Sequence, residues 1–123
     1  MLPNRDITAL QDMLAYAQEA VEGIRGRQRE DLDTDRFFEL GLQRLMEIVG
    51  EAAARVSVAT RDRLPQIEWG KAIGMRNRLI HGYDVVEADV LWTTVLVDLP
   101  ELIRQLTAIP TEQASKPAEG SWA

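Results

Sequence analysis

Six apolar residues near the start of the chain, Ile7, Leu10, Leu14, Ala17, Val21 and Ile24, recur at steps of three and four. That spacing lines one face of an α-helix, whereas a strand needs steps of two. A second run with the same rhythm, Phe38, Leu42, Leu45, Val49, Ala52 and Val56, follows the polar stretch Arg27-Gln28-Arg29-Glu30-Asp31. Stripes of this length must be covered by other helices, so the pattern predicts a bundle. Asn4 or Asp6 is placed to cap the first helix, and the Gly23 to Gly26 region to end it. Asp33 or Thr34 is placed to cap the second, which should run from about residue 34 to about residue 58.

Pro65 suits the first position of a third helix, because its missing N–H and fixed φ are no loss there. Ile67, Trp69, Ile73 and Ile80 carry that helix to Gly82. Gly70 and Gly74 each lower helicity by about 1 kcal/mol relative to Ala, so the helix must rely on packing or admit a close neighbour. Val90, Trp92, Val95, Leu99, Leu102, Ile103 and Leu106 mark a fourth helix from about Val86 to about Ile109. Pro100 should kink it, unless Asp98 caps a separate short helix there. From Pro110 onward the polar, Pro- and Ser-containing sequence has little to bury. The expected architecture is all-α: an antiparallel up-and-down four-helix bundle over residues 1–109, its fourth helix kinked near Pro100, with a flexible tail over 110–123.

A chain of 123 residues holds one domain of this kind, not two. It has no cysteine and one histidine, which excludes disulfides, thiolate metal sites and a cysteine nucleophile. One imidazole among scattered carboxylates offers no ligand spacing for a metal, and neither metal nor cofactor is expected. No apolar run nears the roughly 20 residues that span a bilayer, and the N-terminus lacks a leader pattern, so a cytoplasmic location is expected.

The net charge is −6. An acidic chain makes a poor general coat for nucleic acid. From Arg55 to His81, however, Arg55, Arg61, Arg63, Lys71, Arg76 and Arg78 outnumber Asp62 and Glu68, so the positive charge is concentrated in one segment. Its last part, Arg76-Asn77-Arg78-Leu79-Ile80-His81-Gly82-Tyr83, packs two guanidinium groups, an amide, the single imidazole and a phenol into eight residues. On a helix Asn77 and Arg78 share a face with His81, whereas Arg76 lies about 140° away from it at 3.6 residues per turn. Convergence of Arg76 and His81 therefore needs a long reach, an unwound turn near Gly82 or a second subunit.

Guanidinium groups pair with phosphate oxygens and stabilise charge that grows in a transition state. An imidazole can take a proton from a ribose 2′-OH or give one to a leaving 5′ oxygen without a metal. One His per chain cannot do both at once, so this chemistry calls for a two-fold dimer with two motifs in one cleft. Plainer roles are open for the same residues. His81 before Gly82 suits a helix C-terminal cap, Arg76 and Arg78 suit a solvated face, and Tyr83 suits the core. Glu51 could pair with Arg55, and Trp69 and Trp92 lie on core stripes.

The order and spacing of these pieces resemble the HepT-like HEPN proteins, the ribonuclease toxins of toxin–antitoxin pairs of type VII whose antitoxin is a minimal nucleotidyltransferase. The resemblance spans roughly residues 5 to 108. It rests on Arg76-x4-His81-x-Tyr83, on Ile48-Val49-Gly50-Glu51-Ala52-Ala53, on Pro65-Gln66-Ile67-Glu68-Trp69, on Gly74-Met75, and on Leu91-Trp92 and Leu99-Pro100-Glu101-Leu102. It implies a HEPN bundle, a homodimer, and metal-independent cleavage of RNA. By resemblance Arg76 and His81 are the catalytic pair, Asn77 holds substrate or sets the His tautomer, and Glu51 positions Arg76. Arg78 adds a phosphate contact. Tyr83 matches the residue that the partner nucleotidyltransferase adenylylates to silence the toxin. The alternative carried alongside is a non-catalytic subunit that uses the same residues to bind a nucleotide or the nucleotidyltransferase.

Overall fold

The structure is a computed structural model that describes residues 2–81 and 88–110, the side chains of 77–81 excepted. Its elements are α1 (Asn4–Gly23), α2 (Asp31–Thr34), α3 (Arg36–Arg55), α4 (Val58–Arg63), α5 (Trp69–His81), α6 (Ala88–Thr93), a π-helical turn (Thr94–Asp98) and α7 (Leu99–Thr107). Among the described residues there is no strand. The expected all-α bundle is thus the fold, with two short helices, α2 and α4, set into its connections. The tail expected over 110–123 lies outside the described residues from 111 on, as does the Val86 start expected for the fourth helix.

The four long stripes meet as the spacing required. α1 packs on α3 and on α7, and α3 packs on α5. Leu10, Met13 and Ala17 of α1, Leu42, Met46 and Val49 of α3, Ala72 and Met75 of α5, and Leu99, Leu102 and Leu106 of α7 are buried in one core. Burying a side chain of this size contributes about 1.5–3 kcal/mol, so the shared core far outweighs any single cap or surface pair.

Several ends differ from the sequence expectation, each for a local reason. α1 starts after Pro3 with no side-chain cap. Asp6 does not cap it but is fully buried, bonded to the junction between α3 and α4. Gly26 supplies the turn after α1 at φ +76°, a conformation L side chains rarely adopt. α3 begins at Arg36, two residues later than expected, because Asp35, not Asp33 or Thr34, accepts the backbone N–H of Phe38 at 3.1 Å. It ends at Arg55, and Ser57 caps α4 in its place. Arg61 then donates to the carbonyls of Val56 and Ala54 at 2.9 and 3.0 Å, satisfying acceptors that the end of α3 leaves open.

Pro65 does not open a helix. It lies in a turn closed by Ile67 N–H to Leu64 O, and Trp69 Nε1 donates to the same Leu64 carbonyl at 3.0 Å, which sets the start of α5 four residues later than expected. Pro100 sits in the first turn of α7, where a missing N–H is tolerated. A π turn stands directly before it. Thr94 Oγ1 donates to the Val90 carbonyl at 2.7 Å, and the N–H of Leu99 reaches back five residues to Thr94 O. Asp98 makes no side-chain cap, so the fourth helical segment widens and continues through the proline.

Candidate active site

α5 carries the reactive segment, and it is held differently on its two sides. On one side it meets α3 at Gly50. A Cβ built on Gly50 would lie 2.7 Å from the Cβ of Arg76, 2.7 Å from its backbone N and 3.1 Å from its Cα. Real Cβ atoms do not approach heavy atoms this closely, so the two backbones cross at a distance only glycine permits. Gly50 is buried in the middle of α3, and Arg76 is half-buried opposite it. Glu51, the next residue of α3, is also half-buried.

The other side of α5 faces α7 across an open cleft of about 210 Å³. Ala72, Met75 and Leu102 form its apolar floor. Lys71 crosses its rim to Asp98 at 3.3 Å. α5 is therefore seated on α3 through backbone contact and separated from α7 by a gap that water can enter.

The helix is continuous from Trp69 to His81. Asn77, Arg78 and His81 therefore lie on its last turns, with Arg76 about 140° around the axis from His81 and Asn77 in register with it. An unwound turn is not what brings Arg76 toward His81 within this span; reach of the side chain or a second copy remains. The side-chain positions of Asn77, Arg78 and His81, and all of Tyr83, lie outside what is described. The structure brings Arg76 next to the segment that carries Glu51 and leaves the rest of the motif to the register of α5.

The basic segment is less free than its composition suggested. Arg55 pairs with Asp12 of α1 at 2.8 Å, not with Glu51. Arg61 is committed to the carbonyls that end α3, and Lys71 to Asp98. Three of the six cations thus serve the fold. Trp69 and Trp92 are half-buried against the core, as their stripes implied, while Trp122 is outside the described residues. Among the described residues no group of three or more His, Asp and Glu gathers as metal ligands, and no helix is long and apolar enough to cross a membrane.

Of the two alternatives for Gly70 and Gly74, reliance on packing is the one that holds: a Cβ at either would meet nothing within 4 Å, and Ala72 and Met75 of the same helix are buried in the core. The close approach is at Gly50. Its one signal in the sequence is its place inside Val49-Gly50-Glu51-Ala52-Ala53-Ala54, where a glycine costs about 1 kcal/mol of helicity and so must serve packing.

Comparison with known proteins bears on these residues. A family model described as ribonuclease HepT-like matches residues 10–109. A protein of Thermococcus cleftensis named "Probable ribonuclease HepT" is 36% identical over 95 residues, covering 74% of this chain and 86% of its own. A "Putative RNase" of Caldanaerobacter subterraneus subsp. tengcongensis is 31% identical over 100 residues, covering 81% of this chain and 89% of its own. A "Putative RNase" of Methanocaldococcus jannaschii is 28% identical over 109 residues, covering 88% of this chain and 90% of its own. No solved structure matches.

Proposed function

Starting from the fact that the chain belongs to the ribonuclease HepT-like family, we propose that it is a metal-independent endoribonuclease, the toxin of a type VII-like toxin–antitoxin pair. The observation that carries this reading is the Arg76-x4-His81 motif on one unbroken helix, with Arg76 seated against α3 at Gly50, the residue before Glu51. The names of the relatives support the activity.

In this reading the reaction is a transesterification. The ribose 2′ oxygen attacks the neighbouring phosphorus, the bond from phosphorus to the 5′ oxygen breaks, and a 2′,3′-cyclic phosphate and a 5′-OH are left. One His81 takes the 2′ proton and the His81 of a second copy gives a proton to the leaving oxygen. Arg76 holds the phosphate and stabilises its added charge, a role that suits a planar, permanently charged group. Glu51 orients Arg76. Asn77 holds the substrate or sets the His81 tautomer, and Arg78 adds a phosphate contact. A homodimer follows from the need for two imidazoles where each chain has one. A partner minimal nucleotidyltransferase adenylylates Tyr83, placing negative charge where the RNA phosphate would bind.

The test is cleavage of a labelled RNA in EDTA by the chain made without any partner. Arg76→Ala and His81→Ala should each lower the rate by roughly 10²–10⁴-fold without changing the thermal melt. Mass analysis of the chain made together with a nucleotidyltransferase partner, ATP and Mg²⁺ should show adenylate that is absent from Tyr83→Phe. A folded, unmodified dimer that cleaves none of several RNAs would instead favour a nucleotide- or partner-binding subunit.

A further inference from the structure

We propose that Gly50 is a positioning residue for Arg76, and that the missing side chain at Gly50 is a working part of the site. The inference rests on the nuclease reading above and concerns how that site is held.

An α-helix presents its side chains from a backbone cylinder of radius about 2.3 Å, and packed helices ordinarily keep their axes 8–10 Å apart because side chains intervene. At Gly50 none intervenes. The atoms that would meet a Cβ are the backbone N, Cα and Cβ of Arg76 itself, not the far end of a flexible side chain. Backbone atoms in the middle of a helix cannot step aside singly. A methyl at residue 50 must therefore move α5 as a body at Arg76, or tilt it.

The neighbourhood holds α3 more firmly than α5. α3 is packed on α1 as well as on α5, and Ala52 and Ala53, beside Gly50, are fully buried. α5 borders the open cleft toward α7 through Lys71, Ala72 and Met75. Displacement would carry Arg76 away from α3 and from the segment that holds Glu51. For a group that must meet a phosphate in one geometry, a misplacement of about 1 Å can cost on the order of 10²-fold in rate.

Gly41 supplies the internal control. It lies in the same helix, and a Cβ there would meet nothing within 4 Å. Both substitutions to Ala raise the intrinsic helicity of α3 equally, so any difference between them comes from the contact with Arg76.

The experiment is a double-mutant cycle read as cleavage of the labelled RNA by the full-length chain. Gly50→Ala should lower kcat by ten-fold or more with KM changed less than three-fold, and Gly41→Ala should leave both unchanged. In an Arg76→Ala background, adding Gly50→Ala should cost several-fold less than it does in wild type, because most of its effect passes through the guanidinium. An equal loss in both backgrounds, or none in either, overturns the proposal. If Arg76→Ala itself leaves cleavage unchanged, the nuclease reading has failed, a result distinct from failure of the positioning role. If Gly50→Ala does not fold, the deciding variant is Gly50→Ala with Arg76→Gly, which removes the Cβ met at 2.7 Å. Partial recovery of the melt supports the contact as the cause, since the backbone N at 2.7 Å stays in place, and failure of Gly41→Ala to fold as well overturns it.

Discussion

Of the polar links that join separate elements of this bundle, two differ in almost every physical respect. In one, Asp6 of α1 is fully buried and accepts from Ser57 N at 2.9 Å, from Ser57 Oγ at 2.7 Å and from the hydroxyl of Thr60. In the other, Lys71 of α5 reaches Asp98 at 3.3 Å across the rim of a cleft, with nearly half of the lysine side chain in water. The first link is short, centred on a buried carboxylate and met by three donors. The second is a single ion pair that water and salt can replace. The bundle is thus locked where α1 meets the α3–α4 junction and loosely tied where the helix with the reactive motif faces α7.

Substitutions that break each link should separate them by size. Asp6→Ala has the largest expected effect: it takes the acceptor from the buried hydroxyl of Thr60 and from the part-buried N–H and hydroxyl of Ser57, and should cost about 1–3 kcal/mol, read as a lowered urea midpoint with little change in slope. A destabilisation below about 1 kcal/mol would show that the junction is wet.

The same link predicts a pH signature. Burial pushes the Asp6 carboxyl up, but the hydrogen bonds from the side chains of Thr60 and Ser57 and from the Ser57 N–H, together with nearby Arg5, outweigh it and hold the group below its ordinary value of 3.8. The native state thus binds this proton less readily than the unfolded chain. The stability Asp6 contributes is complete above about pH 4 and is lost as the pH falls from there through its depressed native value. Wild type should therefore lose more stability than Asp6→Asn between pH 5 and pH 2, and parallel curves would contradict this.

Intermediate and of opposite sign is Gly74→Ala. It faces open space on α5 and should stabilise the fold by about 0.5–1 kcal/mol through helicity alone. A loss of stability there would place a neighbour against that face, such as a second copy of the chain. Smallest is Lys71→Met, which should change stability by less than about 0.5 kcal/mol and leave the salt dependence of the melt nearly unaltered. A larger loss would mean that the cleft is tied more firmly than its exposure implies.

Much of this contrast could not be read in advance, and the reason differs by residue. The core was legible because the positions of Leu10, Ala17, Leu42, Val49, Leu99 and Leu106 follow from helical periodicity, a local property. Helix ends were legible only in part. Asp35 competed with Asp33 and Thr34, all three being good caps, and the choice depended on how the chain turns after α2. Asp6 read as a cap because carboxylates near helix starts usually are, whereas its partners lie more than fifty residues away. The candidate site divides in the same way. Arg76-x4-His81 is a pattern along the chain and could be read there, while Gly50 matters only through a crossing of two helices that no spacing records.

The π turn at Thr94–Asp98 has a consequence for the length of the chain. Leu91, Val95 and Leu99 are all buried at steps of four, a rhythm that would drift about 80° around an ordinary helix over eight residues. The wider turn slows the winding for one revolution and offsets the drift from Leu91 to Leu99, which keeps all three on the buried side. The segment behaves as a spacer: it absorbs one surplus residue without changing which side of the helix faces inward. Loss of a single residue between Thr94 and Asp98 is thus the one deletion in this long helical stretch that would leave the buried sides on both flanks aligned.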